Sequence, residues 1–122
     1  MKTAKDPRHI RRTRVIRELF SWEFNKKSKM SKDSNEIISH LDRIDKLIAK
    51  SAPGRPLEQI NKIDLAILRL AAFELIIKKG VPFKVVVDEA VELGKEYGSD
   101  SSPSLINGAL GKLINLEKIS DA

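Results

Sequence analysis

With 122 residues, 41% of them hydrophobic and 33% charged, the chain carries enough apolar material for one packed core, which predicts a single domain. Cysteine is absent, which excludes disulfides, thiol nucleophiles and cysteine metal sites. The net charge of +6 is unevenly placed: residues 1–29 hold ten Lys/Arg against three Asp/Glu, and the remainder thirteen against fourteen. A positive field confined to one end suits a polyanionic partner better than general solubility.

The longest apolar run, residues 65–77, is broken by Arg69 and Glu74 and is too short for a bilayer. The basic start is not followed by an apolar stretch, so it does not read as a secretory signal, and the expected location is the cytoplasm.

In chain order, Asp6-Pro7 reads as an N-cap and first helical residue. The helix they open runs to about Asn25 with Val15, Ile16, Leu19 and Trp22 on its apolar face. Arg8, Arg11 and Arg12 fall on that same face one to two turns earlier, which predicts that the first turns overhang the core and present their guanidinium groups together. Lys26 to Ser34 reads as a polar linker ending in a cap. An amphipathic helix follows, carrying Ile37, Ile38, Leu41, Ile44, Leu47 and Ile48, and Ala52-Pro53-Gly54 stops it.

A short helical turn at Leu57–Ile60 leads to Asn61, a cap for a helix from Lys62 to Lys79 that is apolar on every side and therefore central. Val81-Pro82 introduces a helix from about Phe83 to Tyr97. Ser102-Pro103 starts the last one, in which Gly108 and Gly111 suggest close approach of a neighbouring helix. The expected fold is an all-α bundle of five main helices. His9 and His40 fall in different helices, and neither a glycine-rich phosphate loop nor a nucleophile elbow is present. No enzyme, metal site or cofactor is expected.

The segments AILRLAAFEL, VPFKVVVDEAVELGKEYG and INGALGKL, with RRTRVIRELFSWEFN at the start, resemble the NusB family of transcription antitermination factors in content and order. The resemblance implies an all-α fold of two helical parts, here about 6–52 and 56–118. It implies binding of boxA-type single-stranded RNA with the ribosomal protein NusE, as part of an RNA polymerase antitermination complex serving ribosomal RNA operons. Family members usually have a further helix between the first helix and the one placed at Ile37–Ile48, so the first part here is expected to be short and to need its apolar surface covered. A helical protein-interaction scaffold or a homodimer is the alternative reading.

Arg8, Arg11 and Arg12 carry planar donors suited to phosphate or base stacking. Phe20 either stacks a base or belongs to the core. By resemblance, Lys84 is a phosphate contact or a solvated lysine, and Asn107 reads a base edge or caps a helix. Ser102 is first a cap and second an RNA contact. Glu74, flanked by apolar residues, must be exposed, paired with a cation or facing a partner. The resemblance places it, with Pro82 and Phe83, in the region that meets NusE. Asp88 and Glu92 belong to an acidic face that is either solvated or a docking surface for NusE.

Overall fold

The computed structural model describes residues 6–121. They form α1 (Pro7–Phe24), α2 (Lys32–Ile38), α3 (Leu41–Ser51), α4 (Lys62–Phe73), α5 (Phe83–Tyr97) and α6 (Ser102–Leu116). A 3-10 turn at Leu57–Gln59 precedes α4, and a π-helical turn, Glu74–Lys78, prolongs it. The described residues contain no strand, so the fold is all-α. None of these helices is long and apolar enough to cross a membrane.

The continuous apolar character of α4 explains its place. Every residue from Asp64 to Ile76 is buried, and α4 packs against α1, α3, α5 and α6. No single stripe of such a helix would satisfy it, so its neighbours surround it. The π turn ends where Lys79 N–H donates to the Glu74 carbonyl at 2.9 Å and Lys79 and Gly80 turn left-handed, with φ 58° and 90°.

The N-terminal start follows the sequence: Asp6 accepts from Arg8 N–H at 2.8 Å and Pro7 occupies the first turn. The amphipathic segment around Ile37–Ile48 differs, because it is two helices. Ser39 Oγ donates to the Glu36 carbonyl at 2.6 Å, and His40 Nδ1 lies 3.0 Å from the same oxygen. These local side-chain bonds compete for a carbonyl that helix continuation would use, and α2 ends.

The start of α2 also lies earlier than Ser34. Ser31 is the cap, and Glu18 of α1 fixes it by accepting from Ser31 N–H at 3.1 Å, Ser31 Oγ at 2.7 Å and Ser34 Oγ at 2.5 Å. The segment between α1 and α3 thus forms a seven-residue helix that lays Ile37, 1% exposed, on the core. In this way α2 covers apolar surface in the short N-terminal part.

Burial works to raise the Glu18 carboxyl, but the hydrogen bonds from Ser34 and Ser31, with the charge of Arg14, outweigh it and hold the group below its ordinary value. Glu23 is lowered in the same manner, by Arg69 and Lys26 against burial. A carboxyl depressed in the folded state stabilises above its unfolded value, and that contribution is lost as pH falls through the folded one. Stability is therefore expected to decline below about pH 4.3, the ordinary glutamate value. Urea midpoints measured down the acid limb check this, and Glu18→Gln should flatten part of the decline.

The sequence assigns close helix approach to Gly108 and Gly111, and the structure corrects this. Both lie on the exposed side of α6 with nothing within 4 Å of an added Cβ. The close approach is at α5: a Cβ on Gly94 would lie 2.8 Å from Ile106 Cδ1. One on Gly98 would lie 2.3 Å from Ser102 Oγ and 2.8 Å from the Gly94 carbonyl. Two glycines one turn apart let α5 turn tightly into α6.

Candidate nucleic-acid interface

Helical period carries Arg12 to the buried side of α1, one turn before Val15 and Ile16. There it meets two carboxylates. Its Nε and Nη2 donate to Glu74 Oε2 and Oε1 at 2.9 and 2.7 Å, and its Nη1 donates to Glu89 Oε1 at 3.1 Å. The Arg12 side chain is 12% exposed, against 80% for Arg8 and 62% for Arg11.

The expectation that the three arginines project together is therefore corrected. Arg8 and Arg11 reach solvent, and Arg12 folds inward because buried carboxylates on α5 and the π turn would otherwise be left uncompensated. The hydrogen bonds of Glu74 raise the Arg12 guanidinium above its ordinary value, against the effect of burial. Glu74 is likewise corrected as a partner contact: of its three options, pairing with a cation is the one the structure shows. His9 extends the network, with Nε2 3.0 Å from Glu96 Oε1 and Nδ1 3.8 Å from Glu89 Oε1.

A second buried guanidinium fastens the other end of α1. Arg69 of α4 donates from Nε and Nη2 to the two oxygens of Asp45, both at 3.0 Å, and from Nη1 to Glu23 at 2.9 Å. Trp22 lies between cations, with Lys26 Nζ 3.8 Å and the Arg69 guanidinium 5.9 Å from its ring centre. Held near both ends, α1 is a rigid support for whatever its outer side carries.

That outer side is unusual. Six large hydrophobic side chains are exposed among the described residues, and four of them, Ile10, Phe20, Phe24 and Tyr97, lie on or against α1. Phe20 and Phe24 meet edge to face with centroids 5.0 Å apart, and the Arg17 guanidinium sits 5.7 Å from the centre of the Tyr97 ring. A shallow depression of about 410 Å³ joins Ile10, Thr13, Arg14, Arg17, Ser21 and Lys29 to Tyr97.

Its two carboxylates are already engaged, Glu18 by Ser31 and Ser34 and Glu96 by His9. Among the described residues Arg17 and Lys29 make no ion pair, and Arg14 pairs with Asp33 at 3.2 Å while its charge also acts on Glu18. Exposed cations beside an exposed aromatic ring are the combination that single-strand binders use for phosphates and unpaired bases. Arg14, Arg17, Lys29 and Tyr97 were not singled out from the sequence. The signal was the spacing of Ile10, Arg14, Arg17, Ser21 and Phe24, which runs down the face opposite Val15 and Leu19.

The remaining candidates are dispersed. Phe20 is 37% exposed and so does not belong to the core. Ser102 is not the cap expected of it: Ser101 holds that position, and Ser102 is the buried first residue of α6, its Oγ accepting from Ser99 N–H at 2.9 Å to tie the preceding turn. Lys84 is exposed on α5, and Asn107 lines a separate depression with Gly108, Gly111 and Lys112. Neither belongs to the depression over α1. Pro82 is exposed, while Phe83 is half-buried and its N–H donates to Asp121 Oδ1 at 3.0 Å. Asp88 is exposed, and Glu92 pairs with Lys95 at 3.2 Å.

Residues 34–115 match the NusB family. The chain belongs to the NusB family. It is 43% identical over 106 residues to the transcription antitermination protein NusB of Alkaliphilus oremlandii, an alignment covering 85% of this chain and 77% of that protein. With its counterpart in Shewanella oneidensis it shares 41% identity over 99 residues, covering 81% of this chain and 63% of that protein. The chain thus spans less than two thirds of some NusB relatives.

Among solved structures, T. maritima NusB matches with a TM-score of 0.78 at 30% identity, covering 94% of this chain and 93% of that one. A chain from the crystal structure of a plectonemic RNA supercoil shares the fold, with a TM-score of 0.79 at 21% identity over 93% of this chain and 98% of that one.

Proposed function

We propose that this chain is a transcription antitermination factor that binds boxA-type single-stranded RNA together with NusE and so supports transcription of ribosomal RNA. Membership of the NusB family supports the class of function. The observation that carries the RNA-binding part is the depression over α1, where Arg14, Arg17 and Lys29 border the exposed Tyr97 ring, with the exposed Phe20–Phe24 pair further along the same helix. In this reading the cations hold the backbone, giving affinity with little sequence information, and the rings stack the bases. Arg8 and Arg11 extend the positive field beyond the end of the core. Arg12 acts indirectly, by locking α1 in place.

The proposed NusE surface is the α4–α5 turn, with Pro82, Phe83 and the adjoining Asp88 and Glu92 on α5. Titration of the chain with boxA-like and scrambled RNA of equal length, with and without NusE, tests both parts. The expected result is preferential binding of the boxA-like RNA that tightens when NusE is present. Equal affinity for the two RNAs in both conditions would contradict the reading.

A further inference from the structure

On another side of α1 a pocket of about 280 Å³ lies between α1, α2 and the π turn. Its floor is apolar and buried, formed by Val15, Ile37, Leu70 and Phe73. Arg8, Arg11 and Lys78 bring positive charge to its lining, α2 contributes Asp33 and Glu36, and the Arg12–Glu74 pair closes one wall. The two arginines have exposed partners that a phosphate would have to displace or join. Among the described residues Lys78 and the Glu36 carboxylate make no ion pair, Arg8 is held only by its own helix cap Asp6, and Arg11 only by Asp33 at 3.9 Å.

An apolar floor with a few polar groups converging on it is the usual construction of a small-molecule site. The charges narrow the ligand to one with a flat apolar body and a phosphate, since guanidinium groups match phosphate oxygens in a planar fork. Asp33 and Glu74 are already paired with arginines, which leaves Glu36 to narrow the base. Glu36 only accepts hydrogen bonds, and guanine offers two adjacent N–H donors on its pairing edge, whereas adenine and uracil there alternate donors with acceptors.

We propose that this pocket binds a guanine nucleotide, with the base over the apolar floor, its pairing edge on Glu36 and its phosphate at Arg8 and Arg11. The nucleotide is either free or part of the bound transcript. In the second case the inference rests on the RNA-binding reading above, since an unstacked base must then turn into the pocket.

Titration of the full chain with GMP, AMP and UMP, following the methyl resonances of Val15, Ile37 and Leu70, is the test. GMP is expected to shift those signals saturably and to bind about tenfold more tightly than UMP, a preference near 1.4 kcal/mol. Glu36→Gln, at an exposed position, should remove the preference and leave AMP binding unchanged. Val81→Trp, placed to fill the pocket, should abolish all three.

Boxes of the same RNA with guanosine or inosine then separate the sources. A loss of RNA affinity on inosine substitution, matched by Val81→Trp, assigns the guanine to the transcript. RNA affinity unchanged by both, with GMP binding lost in Val81→Trp, assigns it to free nucleotide. Absence of saturable GMP shifts at millimolar concentration, or equal binding of the three nucleotides, overturns the proposal. So does a response of the same methyls to an acidic apolar peptide but not to GMP. If the unaltered chain binds GMP but no RNA, the function proposed above fails and the pocket stands.

Discussion

Arg12→Ala is expected to lower the unfolding free energy by roughly 3–5 kcal/mol, the usual cost of removing one partner from a buried ion pair. Glu74 would remain buried with no guanidinium to receive, and Glu89 would keep His9 but lose the hydrogen bond from Arg12. Such a loss is a large part of the whole stability of a domain this size. Arg8→Ala, whose side chain is 80% exposed, should change stability by no more than about 0.5 kcal/mol. Urea denaturation of the two variants separates them. Comparable small losses would mean that the Arg12 network does not anchor α1. The double variant Arg12→Met with Glu74→Leu should recover only part of the loss, because it no longer strands Glu74 but still takes the guanidinium from Glu89.

Removing the aromatic rings of the outer face should damage RNA binding without unfolding the protein. Phe20 and Tyr97 are 37% and 36% exposed, so neither is a main element of the core. Base stacking on an aromatic side chain is worth about 1–3 kcal/mol per base. Phe20→Ala and Tyr97→Ala are each expected to weaken single-stranded RNA binding at least fivefold. Their effect should be similar across base sequences and should leave the salt dependence unchanged, because no phosphate contact is lost. The measurement is RNA affinity by anisotropy, with urea midpoints as the control for folding. Retained affinity in both variants would remove the rings from the proposed path.

Much of this architecture was readable from local pattern. Asp6-Pro7, Asn61 and the all-round apolar run of α4 announced their elements, since capping and burial leave marks within a few residues. The break at Ser39-His40 was hidden because Ile37, Ile38, Leu41 and Ile44 keep helical spacing across it. What ends α2 is competition for a single carbonyl. The true cap, Ser31, was indistinguishable from Ser34 until Glu18 of α1 was seen to bind both.

The site shows the same division. Arg12 lay on the apolar stripe and Glu74 inside an apolar run, two local inconsistencies 62 positions apart that resolve each other. Periodicity alone flagged each and joined neither. The outer face was missed for a different reason. Charge density is highest at the first three arginines, whereas Arg14 and Arg17 gain their significance from Tyr97, a ring that arrives from α5.

The salt dependence of RNA binding tests the central claim most directly. The claim is that the solvent side of α1 holds the phosphate backbone while Arg12 serves the fold. Each phosphate contact to a single strand contributes about 0.7 to the slope of log affinity against log salt, so alanine at Arg14, Arg17 and Lys29 together should reduce its magnitude by about 2. Urea midpoints should stay close to that of the unaltered chain, because these side chains lie at the surface. A slope unchanged in the folded triple variant would contradict the account.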